Sequence, residues 1–218
     1  MMKGFRCMLV SWRNIEDWVS TVIEKIESDG YKPEIIVGLA RGGLVPARLI
    51  SDRMQLKDLY AVKTEHWGIT ATPDGQARIT QTLPINISGK RVLVVDDITD
   101  TGQSLSLAVE HVRGMGPSEL RSATLLHILH SKYRPDYYAD EVPEDKWTWF
   151  IFPWNVYEDL TNITLRILEE GEVTIESLQR IFVEYFQIRP KRSQLNETLS
   201  ILMKKGKVAK AGKFYRKL

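Results

Sequence analysis

Arg91-Val92-Leu93-Val94-Val95-Asp96-Asp97-Ile98-Thr99-Asp100-Thr101-Gly102-Gln103-Ser104 is the run that decides how this chain folds. Its Val- and Leu-rich opening suits a strand buried on both faces of a parallel sheet. Two carboxylates then stand at the strand's C-terminal end, where open α/β sheets place their ligands. Hydroxyls, a third carboxylate and a glycine follow, just ahead of the helix-like run Leu105-Ser106-Leu107-Ala108-Val109. A Thr- and Gly-rich turn at a helix N-terminus offers free N–H groups and hydroxyl donors to a phosphate. Carboxylates beside a phosphate cradle need something neutral or cationic between them. A ribose with two hydroxyls and a bound Mg²⁺ meets that need, so the run reads as a site for a sugar phosphate. A Walker B strand of a nucleotide hydrolase is the competing reading, and it requires a Gly-Lys-Ser/Thr loop elsewhere. The Gly-Lys pairs are Gly89-Lys90, Gly206-Lys207 and Gly212-Lys213, and Ser or Thr follows none of them.

Working outward, short apolar strands alternate with helical patterns. Apolar residues at 15, 18, 19, 22, 23 and 26 predict a helix over 14–29, and Gly30 stands where a C-cap glycine belongs. A strand over 34–39, the Ala40-Arg41-Gly42-Gly43 turn, a helix over 44–54 and a strand over 59–63 come next. Residues 64–82 are polar, with Pro73-Asp74-Gly75 at the middle, and read as a long mobile hairpin or loop. After the acidic run, a strand over 122–129 leads through a Pro-containing loop to the aromatic stretch 147–152. This alternation predicts an α/β fold with a mostly parallel sheet flanked by helices.

From Leu160 the character changes to amphipathic helices over 174–187 and 193–204, then a basic end punctuated by Gly206 and Gly212. The expected division is a main domain over 1–157 and a small helical domain over 158–218, with a short terminal hairpin. The outline of the second part resembles a winged helix, an outline shared by many unrelated proteins. Residues 160–218 hold 12 Lys and Arg against 6 acids, while the remainder holds 18 against 22. A split of that kind points to two differently tasked parts.

The 218 residues suffice for one α/β domain with an appendage, and 43% hydrophobic with 27% charged residues is ordinary globular composition. The single cysteine, Cys7, excludes an intramolecular disulfide and agrees with a reducing cytosol. No apolar stretch approaches the ~20 residues of a membrane span, and no signal-peptide core is present at the N-terminus. A cytoplasmic protein is expected.

The acidic run closely resembles the phosphoribosyl-diphosphate (PRPP) motif of type I phosphoribosyltransferases: apolar residues, two acids, two residues, then acid-Thr-Gly and a hydroxyl. Gly38-Leu39-Ala40-Arg41-Gly42-Gly43-Leu44-Val45-Pro46-Ala47 is similar to that family's diphosphate loop. Adjacent glycines there let backbone N–H groups approach a diphosphate, and Arg41 brings a fixed positive charge. Lys63 resembles the lysine that many members place near the diphosphate, with a solvated surface lysine as the alternative. The polar stretch after it matches the family's closing loop, which would exclude water.

The resemblance covers roughly residues 30–157 and is strongest to bacterial and archaeal xanthine/hypoxanthine-guanine phosphoribosyltransferases. It implies transfer of 5-phosphoribosyl from PRPP to a purine base, with Mg²⁺, by a homodimer. It further implies that Asp96 and Asp97 hold the ribose hydroxyls and, mainly through water, the metal. Thr99, Asp100, Thr101, Gly102, Gln103 and Ser104 would surround the 5′-phosphate, while Asp100 would also face the base. Arg41, Gly42, Gly43 and Lys63 would take the diphosphate. Trp149 would stack on the purine and Phe150 would offer backbone groups to its edge, with Phe152 and Trp154 as core.

One position departs from the pattern. Where 6-oxopurine enzymes carry a lysine shortly after the Ala-Thr-Leu strand, this chain has Ile128. An aliphatic side chain gives the base's O6 no donor, and a site built on a polar contact discriminates strongly. Adenine, giving AMP, is therefore the favoured base. Lys132 is a substitute donor under the alternative, a 6-oxopurine enzyme; Asp100 matches that alternative. His127 and His130 lack zinc-protease spacing and read as ordinary strand or loop histidines. A reading of another class is a PRPP-sensing, nucleic-acid-binding regulator. The presence of Asp100 and Trp149 favours the enzyme, so neither a nucleic acid nor a membrane is expected as a partner.

Overall fold

The computed structural model describes residues 3–67 and 76–218. They form two compact units, Arg13–Lys146 on the one hand and Met1–Trp12 with Trp147–Leu218 on the other. The strands are β1 (Cys7–Leu9), β2 (Ile35–Ala40), β3 (Leu59–Trp67), β4 (Gln76–Gln81), β5 (Arg91–Thr99), β6 (Glu119–Ile128), β7 (Tyr137–Val142), β8 (Trp149–Ile151), β9 (Val208–Ala211) and β10 (Phe214–Lys217). The helices are α1 (Trp12–Ser28), α2 (Leu44–Arg53), α3 (Gln103–Arg113), α4 (Val156–Leu168), α5 (Ile175–Phe186) and α6 (Arg192–Lys204). Among the described residues, no helix is long and apolar enough to cross a membrane.

The unit 13–146 is built on one sheet in the order β4-β3-β2-β5-β6-β7. All neighbours are parallel except β3 and β4, so the fold is the expected mostly parallel α/β sheet with an antiparallel edge. Val92 to Val95 lie between β2 and β6, and all four are fully buried. Burying a Val or Leu side chain contributes about 1.5–3 kcal/mol, which is why this run holds the sheet's centre. Leu105, Ala108, Val109 and Val112 of α3 cover Val92 and Val94 on one face. The chain leaves β2 through α2 toward β3, but leaves β5 through α3 toward β6, in the opposite direction. The crevice at the C-terminal ends of β2 and β5 is therefore the sheet's topological switch point.

Several boundaries move. Helix α1 begins at Trp12 rather than 14, with Gly30 at φ +71° ending it as expected. The 64–82 stretch supplies the rest of β3 and all of β4, paired from Lys63–Gln81 to Trp67–Gln76; its Pro73-Asp74-Gly75 turn lies outside the described residues. Strand β5 continues through Thr99, so Asp96 and Asp97 belong to the strand rather than following it. Strands β1 and β7 carried no separate signal in the sequence.

The expected boundary at 157/158 is replaced by another. Strand β8 pairs not with the large sheet but with β1, in register Cys7–Trp149 to Leu9–Ile151. Cys7 and Ile151 then share one apolar core with Leu160 and Ile163 of α4, Phe182 of α5, Leu199 of α6 and Tyr215 of β10. A common core binds these segments together, whatever their distance along the chain. The capping box at Thr174, whose hydroxyl accepts from the Ser177 N–H at 3.2 Å, starts α5 as its sequence predicts.

Candidate active site

The turn after β2 approaches β5 more closely than any residue with a side chain permits. A Cβ placed on Gly42 would lie 2.3 Å from an Asp97 carboxylate oxygen, and one on Gly43 would lie 2.2 Å from the Val95 carbonyl oxygen. The Gly43 N–H donates to the Leu39 carbonyl at 2.9 Å, which folds the turn tightly back on its own strand. The Ala40–Arg41 peptide is cis. Arg41 is exposed at the turn's tip, and Lys63 sits opposite Ala40 in the β2–β3 register. Both line a cleft of about 460 Å³ with Ala40, Thr64 and Glu65. Lys63 is ion-paired with Glu65, whose carboxyl it holds below the usual range through hydrogen bonding first and charge second.

Asp97 is buried, and its N–H donates to Asp96 Oδ1 at 2.9 Å. Burial, and next the Asp97 charge beside it, hold the Asp96 carboxyl well above the usual carboxylate range. Two carboxylates this costly to keep ionised side by side gain from a cation and from hydroxyl donors. Among the described residues no group of three or more His, Cys, Asp or Glu is placed to hold a metal. A site offering two carboxylates fits Mg²⁺, which retains waters and takes further oxygens from substrate phosphates.

The second turn runs from Asp100 to Gly102 into α3. Gly102 has φ +78°, and a Cβ there would meet Ser131 Oγ at 2.6 Å and the Tyr133 backbone N at 2.8 Å. Only glycine satisfies both the conformation and the space. Thr101 and Gln103 are exposed and Ser104 is half-buried, so donors stand open at the helix start. The loop after β6 braces this turn: the Lys132 N–H donates to the Thr101 carbonyl at 3.3 Å, and His130 Nε2 pairs with Asp100 Oδ1 at 2.8 Å. No sequence spacing connects positions 100 and 130. Their meeting follows from β5 and β6 being neighbours, so His130 is the site residue that the sequence alone did not reveal.

Two expected site residues are placed differently. Thr99 is buried, with its hydroxyl hydrogen-bonded to His127 Nδ1 at 2.9 Å, so only its backbone remains to line the turn. Ile128 is 1% exposed, paired in register with Val142. It is a core residue, so its side chain does not face open space for a base. Arg41, Gly42, Gly43, Lys63, Asp96, Asp97, Asp100, Thr101, Gly102, Gln103 and Ser104 all stand at the C-terminal edge of one sheet in one unit. Trp149 and Phe150 belong to the other unit. There Trp149 is 41% exposed and donates from Nε1 to Asp159 Oδ1 at 3.0 Å. The buried Phe152 stacks on the half-buried Trp154 with ring centroids 4.9 Å apart.

His127 carries a pH prediction. Burial, and next the Arg134 charge, hold its imidazole below the ordinary value of 6.5. The unfolded chain thus takes up the proton more readily, and stability present above 6.5 is lost as pH falls from there through the folded-state value. The melting temperature should decline as pH falls below about 6.5. The decline should flatten in His127→Asn, measured by calorimetry over that range; an unchanged decline would assign it to other groups.

Residues 8–160 match the phosphoribosyl transferase domain family. A xanthine-guanine phosphoribosyltransferase of Cereibacter sphaeroides is 31% identical over 161 residues, spanning 71% of this chain and 88% of that one. Among solved structures, a purine phosphoribosyltransferase from Pyrococcus horikoshii is similar with 28% identity and a TM-score of 0.59, covering 69% of this chain and 94% of that one. The xanthine-guanine-hypoxanthine phosphoribosyltransferase of Helicobacter pylori, at 24% identity, shares the fold with a TM-score of 0.60 over 73% of this chain and 99% of its own.

Proposed function

The chain belongs to the phosphoribosyl transferase family, and from that premise we propose that it is a purine phosphoribosyltransferase whose base is a 6-oxopurine. The reaction joins the base to the 5-phosphoribosyl group of PRPP and releases diphosphate. The observation that carries it is the close approach of the Gly42-Gly43 backbone to Asp96 and Asp97, beside the Asp100–Ser104 turn. That arrangement supports adjoining places for a diphosphate, a ribose and a 5′-phosphate along one strand edge.

As diphosphate leaves, C1′ of the sugar develops positive charge, and Asp96 and Asp97 answer it by position while accepting from the ribose hydroxyls. Thr101, Gly102, Gln103 and Ser104 donate to the 5′-phosphate. Arg41, and Lys63 once it exchanges Glu65 for substrate, neutralise the departing diphosphate. Asp100, oriented by His130, handles the proton at the base's imidazole nitrogens. Asp96 and Asp97, mainly through water, are the residues that would hold Mg²⁺, which supplies further charge neutralisation of the leaving group. By the family resemblance, Trp149 and Phe150 would contact the base and the protein would be a cytoplasmic homodimer.

The sequence favours adenine because Ile128 offers the base no donor, and the structure buries Ile128 in the core. Lys132 takes its place. It is exposed, and its backbone is tied to Thr101 in the phosphate turn. Relatives named for xanthine, guanine and hypoxanthine support the same choice. Purified protein given PRPP, Mg²⁺ and each base in turn should show higher kcat/KM for hypoxanthine, guanine or xanthine than for adenine. Lys132→Ala should lower the favoured value about 10- to 100-fold, the worth of one hydrogen bond to a charged donor. A wild-type preference for adenine would return the assignment to AMP synthesis.

A further inference from the structure

The positive charge of the chain's last sixty residues is concentrated in one place. Residues 160–188 carry two basic and five acidic side chains, whereas 189–218 carry ten basic and one acidic. All ten are exposed: Arg189 and Lys191 before α6, Arg192 and Lys204 at its two ends, and the others on and around the β9–β10 hairpin. Arg192 pairs with Glu176 and Lys217 with Glu169. Lys204, Lys205, Lys207, Lys210, Lys213 and Arg216 make no ion pair among the described residues.

The backbone gives this charge a shape. Helices α5 and α6 are joined by a short turn, and the hairpin follows, its strand β10 bridged from Tyr215 to Val173 just before α5. Helix α6 buries Leu195, Thr198, Leu199 and Leu202. Its opposite side presents Ser193, Asn196, Ser200 and Lys204 at helical spacing, with the lone acid, Glu197, held by the Tyr157 hydroxyl. The 13-residue helix is about 20 Å long and carries small polar side chains between two cationic ends. A B-DNA major groove about 12 Å wide accepts such a helix, and small polar side chains are the type that read base edges. Helix-turn-helix modules dock in this way, second helix in the groove.

We propose that α6 and the β9–β10 hairpin form a binding surface for double-stranded DNA, with α6 in the major groove and the hairpin lysines on flanking phosphates. Asp100 and Trp149 favour an enzyme over a nucleic-acid-binding regulator, and a DNA surface on residues 189–218 leaves that enzyme reading in place. Duplex RNA fits less well, since its major groove is too deep and narrow for a helix. An anionic membrane fits less well because the exposed apolar side chains, Met203, Phe214 and Leu218, stand singly among cations and form no continuous apolar face to insert.

The test is fluorescence anisotropy of the full chain with a labelled DNA duplex of about 30 base pairs, from roughly 50 to 200 mM salt. Affinity should fall linearly in log–log form with rising salt. K207E/K210E/K213E should weaken binding at least about tenfold at roughly 100 mM salt and lower the magnitude of the slope by about 3, one for each phosphate no longer neutralised. Asn196→Glu with Ser200→Glu should weaken it as much, while Lys32→Glu with Lys57→Glu in the other unit should leave it unchanged. Phosphoribosyl transfer by the hairpin variant should remain at the wild-type rate, showing that it is folded. Absence of duplex binding at the lowest salt, equal weakening by the Lys32/Lys57 variant, or tighter binding to duplex RNA or phosphatidylserine vesicles would overturn the proposal.

Discussion

Replacing both Asp96 and Asp97 by asparagine should cut turnover about 10³-fold or more, roughly 4 kcal/mol of transition-state stabilisation, without lowering the melting temperature. The two halves of that expectation have one cause. The carboxylates sit together, Asp97 buried and Asp96 held well above its usual range by burial and by its neighbour. For a carboxyl shifted upward, folding stability falls as pH rises from the ordinary carboxylate range through the folded-state value. Holding two charges side by side out of water is therefore a cost to the fold, and the isosteric amides relieve it. What the amides cannot supply is negative charge facing C1′ of the sugar or a seat for a divalent cation. Steady-state rates and calorimetry on one sample read both halves. Near-normal turnover in the double variant would remove these residues from the site.

Gly43→Ala and Gly42→Ala should separate fold from function. At Gly43 an added Cβ meets backbone, the Val95 carbonyl oxygen at 2.2 Å and the Leu39 N at 2.9 Å, and neither yields without moving a central strand. Overpacking of this kind costs about 1–3 kcal/mol or more, a fall of roughly 2–10 °C for a chain of this size, with transfer activity lost alongside. At Gly42 the obstacle is the Asp97 carboxylate itself, 2.3 Å away. A side chain swings aside more cheaply than a strand, so the melting temperature should change less. The displaced carboxylate should nonetheless raise KM for PRPP and lower kcat together, by an order of magnitude or more. A fully active Gly42→Ala protein would show that Asp97 needs no fixed position.

The contrast between those glycines also marks where a linear reading runs out. Apolar Val92–Val95, the acids that follow and the Asp100–Ser104 turn are contiguous, so strand, site and helix start are legible in order. The same holds for the amphipathic helix α5 and for the hairpin around Gly212, because periodicity and turn chemistry act over a few residues. Facing is another matter. Thr99 and Ile128 each lie at the end of a strand whose neighbours share the site, and both turn inward, Thr99 to His127 and Ile128 to the core. Side chains alternate faces with a period of two, so which residue meets the ligand depends on pairing that no local pattern encodes.

The amino-acid sequence by itself determined the α/β class, the two glycine- and acid-bearing turns and the family they belong to. These rest on contiguous residues whose chemistry and spacing carry their own meaning. Tertiary structure alone decided that β1 closes on β8 and so redraws the domain boundary. It alone brought His130 to Asp100, Lys132 to Thr101 and Tyr215 of β10 back to Val173 ahead of α5. Each of those depends on contacts between segments far apart in the chain, and such contacts exist only once the hydrophobic cores have drawn their strands and helices together.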